Sequence, residues 1–246
     1  MFSFFSKKEF LVDHLNGFID IHNHILPGID DGAKTAKESI GLIHGFQEFG
    51  VSRFICTPHI MHNYYDNTPE TIQEAYNKLQ KKLNKEGLSK IKIDYAAEHM
   101  IDDNFENILE KNTILPIRKE YILVEMSYLQ PSINFDTSIE KIKKHGLYPI
   151  FSHPERYIYL QNSFDSYKRF KDNGILFQMN LLSLSGYYGK SIQKNCYKLL
   201  DNKLFNFAAT DIHNIRHLNS LKNTSISKKT LNQVLPILDN TILHFY

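Results

Sequence analysis

Short apolar runs alternate along the chain with longer stretches in which apolar residues recur every three or four positions. The first pattern predicts buried strands and the second predicts amphipathic helices. Strands are expected at residues 18–22, 53–57, 91–96, 121–125, 148–152, 176–180 and 205–210. Helices are expected at 35–49, 69–86, 138–144, 164–173 and 189–201, with a closing helix at 227–238. In the first helix Ile40, Ile43, Phe46 and Phe49 form the apolar stripe. Thr68 followed by Pro69 is a helix-start signal: the hydroxyl caps free N–H groups, and proline suits the first turn. Gly146 and Gly174 stop the helices before them.

Strand followed by helix, repeated along the chain, predicts a parallel sheet with crossover helices. Two architectures satisfy that order, an open doubly wound sheet and a closed barrel. The barrel is preferred, because polar residues with metal-binding chemistry fall at the C-terminal ends of nearly every strand. A ring makes those ends converge on one mouth, whereas an open sheet spreads them along a line. No Gly/Ser/Pro-rich linker interrupts the pattern, which predicts one domain over residues 1–246 with 1–17 as an N-terminal arm. The Phe2, Phe4 and Phe5 cluster in that arm is expected to pack on the barrel or to meet a partner.

Composition narrows the function by exclusion. A formal net charge of +2 over 246 residues gives no argument for nucleic acid or a membrane surface as partner. Two cysteines, and an apolar start broken by Lys7, Lys8 and Glu9, suit a cytoplasmic protein. Neither cysteine has an arginine six residues on: His62 follows Cys56 at that spacing and Asn202 follows Cys196. A Cys-x5-Arg phosphate loop is therefore absent, and with it cysteine-dependent phosphatase chemistry.

The twelve histidines carry more information. His22 and His24 flank Asn23, and on a strand residues two apart share a face, so both can reach one cation. Asp20 is better placed to orient a ligand than to be one. Asp30 and Asp31 lie in a Gly-rich turn, where one of them can reach back to the same mouth or cap a helix. His59 closes the second strand, while His62 is expected at the surface. Glu98 follows two alanines, which allow close approach to metal, and it can bridge two cations; His99 should point away. Glu125 stands inside an apolar strand, a costly place for an unpaired carboxylate. His153 ends the fifth strand, with Arg156, whose forked guanidinium matches phosphate oxygens, three residues on. Asp211 and His213 repeat the two-residue spacing after the last strand.

The blocks DIHNHILPGIDDG, TPH, AAEHM, VEMS, SHPER and TDIHN resemble the PHP (polymerase and histidinol phosphatase) superfamily. They look most like its bacterial protein-tyrosine phosphatase branch, which regulates capsule and exopolysaccharide synthesis by dephosphorylating a tyrosine kinase. The resemblance spans residues 18–214. It implies a distorted (β/α)7 barrel holding three divalent metals, usually manganese, with iron or zinc as alternatives. Carried over by motif, one metal takes His22, His24, Glu98 and Asp211. A second shares Glu98 and adds Glu125 and His153. A third takes His59, His213 and either Asp30 or Asp31. Glu125 replaces the histidine of other superfamily members but matches the tyrosine-phosphatase branch. Arg156 would hold the substrate phosphate, and His59 could also assist the leaving group. The implied substrate is a phosphotyrosine protein, with a kinase C-terminal tail as the expected partner. The rival readings are a histidinol-phosphate or other small-molecule phosphoesterase, and a non-catalytic metal-holding binding module.

Overall fold

The computed structural model describes residues 8–246, so the expectation for Phe2, Phe4 and Phe5 lies outside the described residues. In chain order the strands are β1 Lys8–Phe10, β2 Ile19–Asp20, β3 Arg53–Cys56, β4 His59–Ile60, β5 Lys92–Tyr95, β6 Glu98–Met100, β7 Tyr121–Glu125, β8 Tyr148–Ser152, β9 Leu176–Asn180, β10 Phe207–Ala209 and β11 Ser225–Ser227. The helices are α1 Ala36–Gln47, α2 Pro69–Lys85, α3 Phe105–Glu110, α4 Phe135–Lys144, α5 Ile158–Gln161, α6 Phe164–Asp172, α7 Lys190–Asp201, α8 Ile215–Lys222 and α9 Lys228–Phe245. The expected elements are present with shifted ends. Thr35 and Thr68 cap α1 and α2 through their side chains, as their sequence signals require. The closing helix runs on to Phe245 despite Pro236, because its later turns bury Thr241 and Phe245.

The fold is mixed α/β. β2, β3 and β5 form one parallel sheet, and β4, β6, β7, β8, β9 and β10 form a second, in that spatial order and also parallel. Backbone hydrogen bonds join the two sheets at both edges. At one edge Ala96 N donates to Cys56 O at 2.8 Å and Glu98 N to Pro58 O at 3.0 Å. These bonds carry the ladder across the breaks that separate β3 from β4 and β5 from β6. At the other edge Asp211 N donates to His22 O at 2.8 Å and His24 N to Ile212 O at 2.9 Å.

A small apolar cluster draws on the strands of both sheets, with Ile19, Ile55, Ala96, Leu123, Ile150 and Ala209 among its members and Phe245 of α9 packed with them. Ala96 precedes Glu98 by two residues, Leu123 precedes Glu125, and Ala209 precedes Asp211. Strand alternation puts the members of each pair on one face where the chain stays extended. The apolar cluster thus forms the floor beneath Glu98 and Glu125, while the chain bends out of the strand at Asp211. The larger core lies among the helices and strands around it.

Residues 8–15 are an integral layer. β1 pairs antiparallel with β11, and Leu11 and Leu15 are fully buried. Cys56 and Cys196 are buried and unpaired. No described helix is long and apolar enough to cross a membrane.

Candidate metal centre

The strands end in a cluster of imidazoles and carboxylates that is almost wholly buried. His22, His24 and Glu98 are fully inaccessible, and Glu125, His153 and Asp211 nearly so. Gln178 Nε2 donates to Met179 O at 2.7 Å, which leaves its Oε1 to face His22 Nδ1 at 2.9 Å. His22 Nδ1 must therefore carry the proton. On His24 the Nδ1 lies 2.7 Å from Asp30 Oδ2, which fixes the same tautomer. Both Nε2 lone pairs then face each other across 3.3 Å. Asp211 Oδ1 is 3.3 Å from each of them, and Glu98 Oε2 is 3.2 Å and 3.6 Å away. Four electron-rich atoms converge with nothing positive between them, and only a cation or added protons can relieve that.

The electrostatics agree. Burial disfavours a charged His24, yet Asp30 and Asp211 hold its imidazole up to about 10. Burial likewise opposes ionisation of Glu98 and Asp211, but the surrounding histidines hold both well below the usual carboxylate range. Burial and the adjacent Glu98 push Glu125 up. The site attracts positive charge at each of these positions.

Two further groups adjoin the first. Glu98 Oε1 meets His153 Nε2 at 3.1 Å, and His22 completes that set. His59 Nδ1 lies 2.9 Å from Glu125 Oε1 and 3.1 Å from Glu98 Oε2, yet neither His59 Nδ1 nor Glu98 Oε2 makes a directed hydrogen bond. The other nitrogen of His59 faces Asp31 Oδ1 at 3.4 Å, and His213 Nε2 faces the same oxygen at 3.3 Å. Orphaned buried donors of this kind suit a metal better than a protein-only network. His59 stands between two groups, one ring nitrogen in each. Glu125 and His153 fall in different groups, where the motif carry-over put them on one metal.

The two turn carboxylates have separate surroundings. Asp30 is buried, and its oxygens face His24, Gly32 N at 2.9 Å and His59 N at 3.3 Å. Asp31 is half exposed and points at His59 and His213. Asp30 therefore orients a histidine, and Asp31 offers the free oxygen.

Asp20 makes no hydrogen bond to the His22 ring, whose Nδ1 faces Gln178. It accepts from Thr210 N at 2.9 Å and Thr210 Oγ1 at 2.6 Å, which ties β2 to the chain entering Asp211. His99 turns away from the cluster, while His62 is exposed beside Asp66. Arg156 is not paired with Glu155, which is buried and accepts from Asn180 N and Ser183 Oγ. Its Nη1 donates to Asp211 Oδ2 at 2.6 Å, and its guanidinium lies between the rings of Tyr128 and Tyr188, at 4.7 Å and 4.1 Å. Asn180 also donates to Asp211 Oδ2, at 2.9 Å.

Gln178, Asn180, Tyr128 and Tyr188 escaped the sequence reading. Gln178 and Asn180 are polar residues inside an apolar strand, the signal that singled out Glu125. The tyrosines gave no signal. His153 and Asp211 both take positive φ, 35° and 51°. Such strain in residues with a Cβ persists only where the surroundings enforce it, and it gathers at functional sites. The bend at Asp211, rather than strand alternation, turns Asp211 and His213 to one side.

The profile of the family described as capsular polysaccharide synthesis, CpsB/CapC, matches residues 18–230. The chain belongs to the CpsB/CapC family. Among its relatives, the tyrosine-protein phosphatase YwqE of Bacillus subtilis is 30% identical over 202 residues, which cover 82% of this chain and 79% of YwqE. The tyrosine-protein phosphatase CpsB of Streptococcus pneumoniae is 29% identical over 203 residues, 80% of this chain and 83% of that protein. A chain from the crystal structures of YwqE and CpsB, described as metal-dependent tyrosine phosphatases, matches with a TM-score of 0.80 at 28% identity, covering 92% of this chain and 93% of that one. An amidohydrolase from Mycoplasma synoviae matches at 14% identity with a TM-score of 0.54, a likeness of fold alone. In this CpsB/CapC chain both thiols are held well above their ordinary range by burial, which removes them as nucleophiles.

Proposed function

We propose that this protein is a metal-dependent protein-tyrosine phosphatase. The observation that carries the reading is the pair of Nε2 lone pairs of His22 and His24, fixed toward each other by Gln178 and Asp30 and faced by Glu98 and Asp211. The kinship with YwqE and CpsB supplies the substrate class. We read the two joined sheets as one distorted (β/α)7 barrel and the chain as a single domain, with β3/β4 and β5/β6 each counted as one interrupted strand.

In this reading three divalent ions occupy the cluster, manganese first among the candidates. His22, His24, Glu98 and Asp211 hold the innermost. A second ion would take Glu98 with Glu125 and His153, drawing together residues from the two adjoining groups that share Glu98, and His59 Nδ1 faces the same space. Asp31, His59 and His213 hold the outermost. Bound there, the ions would lower the pKa of a water nucleophile and offset phosphate charge. The chain's own residues do the rest. Arg156, kept cationic by Asp211 and backed by two tyrosine rings, presents guanidinium N–H groups to phosphate oxygens. Gln178 and Asp30 hold their histidines in the ligating tautomer. Burial of the cluster keeps bulk water away from the reacting phosphorus. A phenolate leaves readily, so the leaving group asks little of a proton donor, and His59 could serve as one only through a ring nitrogen that no ion holds. The substrate is a phosphotyrosine protein, with the tail of a tyrosine kinase of capsule synthesis as its expected form. Two buried free thiols suit a cytoplasmic setting.

The test joins metal analysis of the purified protein to turnover of a phosphotyrosine peptide and of histidinol phosphate. Chelation should abolish hydrolysis and Mn²⁺ should restore it, with kcat/KM much higher for the phosphotyrosine peptide. Full activity in metal-free protein overturns the metal reading. Preference for histidinol phosphate overturns the substrate reading.

A further inference from the structure

Beside the metal mouth lies a groove of about 640 Å³ that the phosphatase reading leaves unused. Its floor is Met61, Met100 and Ile101, and one wall is the loop at residues 127–134. Met61 stands two residues past His59, and Ser127 two residues past Glu125. Two residues of chain span at most about 7 Å, so the groove lies next to the site. A polypeptide whose phosphotyrosine entered the metal cluster would lay its neighbouring residues here. The volume falls within the roughly 300–1,000 Å³ of ordinary ligand sites, enough for side chains of a short peptide stretch.

The wall is fixed in place, yet presents apolar side chains to water. Ser132 Oγ donates to Ile101 O at 2.6 Å, Asn134 Nδ2 to Asp102 O at 2.9 Å, and Tyr159 OH to Ser127 O at 2.9 Å. Between these anchors Ile133 is fully exposed. A pinned loop that displays an isoleucine spends little ordering entropy on binding.

The charge of the groove is one-sided. Asp102, Asp103 and Glu106 line it, and no lysine or arginine is among its lining residues. Glu106 is neutralised by Lys141 at 2.7 Å, and the Asp102 carboxylate is occupied by His62 N and Asn104 N. Asp103 is exposed and has no ion pair among the described residues. The complementary ligand therefore carries one apolar side chain for Ile133 and one cation for Asp103.

We propose that this groove reads the substrate polypeptide next to its phosphotyrosine, selecting an apolar residue together with a lysine or arginine. The inference rests on the phosphatase reading and adds the sequence context of the target.

The experiment uses metal-loaded full-length protein and four phosphotyrosine peptides of equal length. Their flanking pair is Ile-Lys, Ala-Lys, Ile-Glu or Ala-Ala, set within three residues of the phosphotyrosine on either side. Each kcat/KM is divided by that for p-nitrophenyl phosphate, which is too small to reach the groove. Ile-Lys should exceed Ile-Glu by about fivefold, the size of one exposed charge contact. Asp103→Lys should reverse that order, and Ile133→Asp should erase the advantage of Ile-Lys over Ala-Lys. Equal ratios for all four peptides, or a preference that survives both substitutions, overturns the proposal while p-nitrophenyl phosphate turnover upholds the phosphatase reading. Concentration-dependent dimerisation abolished by Ile133→Asp would assign the groove to a second copy of the chain and overturn the proposal too. If neither p-nitrophenyl phosphate nor any peptide is hydrolysed, the phosphatase reading itself fails.

Discussion

Glu98 is the residue on which the centre turns. Its two oxygens face four histidines between them, His22, His24 and His59 on one side and His153 on the other. Glu98→Gln keeps the shape but removes the charge and one acceptor. Metal content should fall, and kcat should drop by at least about a hundredfold, the upper range for lost support of a metal ligand. Unchanged metal and turnover, read by elemental analysis and phosphopeptide kinetics, would show that Glu98 bridges nothing. Arg156 makes a different demand. Because it contacts Asp211 Oδ2 and not the converging Oδ1, Arg156→Ala should retain most metal yet lose activity. Arg156→Lys should rescue only part, since an ammonium cannot make the forked contact or stack between Tyr128 and Tyr188. Wild-type kcat/KM in Arg156→Ala would remove the guanidinium from phosphate binding.

At the scale of elements, the turn between β2 and α1 matters most. It has no regular structure of its own, yet it carries Asp30 and Asp31 to opposite duties. Gly32 makes this geometry attainable: a Cβ there would stand 2.1 Å from His24 O and 2.5 Å from His24 Cβ. Backbone at that distance cannot yield, so Gly32→Ala must lift the turn. Asp30 would leave His24 and Asp31 would leave His59 and His213 together. We expect lower metal occupancy and loss of activity in a protein whose circular dichroism is otherwise native. An active, fully loaded Gly32→Ala protein would mean that the turn is dispensable. The same turn is tied to the end of β4 by Asn67, whose amide donates to Ile29 O at 2.9 Å and His59 O at 2.8 Å. Nothing in the spacing of Asn67 foretold that role, because the contact is made between segments distant in sequence.

For the molecule as a whole, the buried histidine outside the centre sets an acid limit. His99 donates from Nδ1 to Leu123 O, and its Nε2 accepts from Leu115 N, so the native ring is neutral. Burial lowers its pKa from the ordinary 6.5 to about 4. A base with a depressed native pKa lends stability above its unfolded value, and that stability is lost as pH falls through the folded one. Metal-free protein should therefore weaken between about pH 6.5 and 4, by up to roughly 3 kcal/mol from this residue. His99→Gln can keep both hydrogen bonds without titrating, so it should lose less stability over the same range. Urea unfolding of both proteins at pH 7 and pH 4.5 measures the difference, and identical losses would place the acid sensitivity elsewhere.

Much of this was legible before folding. The alternation of strands and helices, the histidine and carboxylate blocks at strand ends and the lack of a thiol phosphate loop are local facts, since period, spacing and residue chemistry are properties of the chain. Glu125 betrayed itself as an acid in an apolar strand, a conflict visible without coordinates. What only the tertiary structure decided is which atoms share a space. It gave Asp30 to His24 and Asp31 to His59 and His213, two identical side chains separated by the path of one turn. It set Arg156 against Asp211 rather than Glu155, and enclosed it between tyrosines from two loops. It turned Asp211 and His213 together through a strained bend where the sequence suggested simple alternation. Apart from the six-residue span between His24 and Asp30, these depend on contacts between residues tens to hundreds of positions apart, and a one-dimensional pattern does not encode such distances.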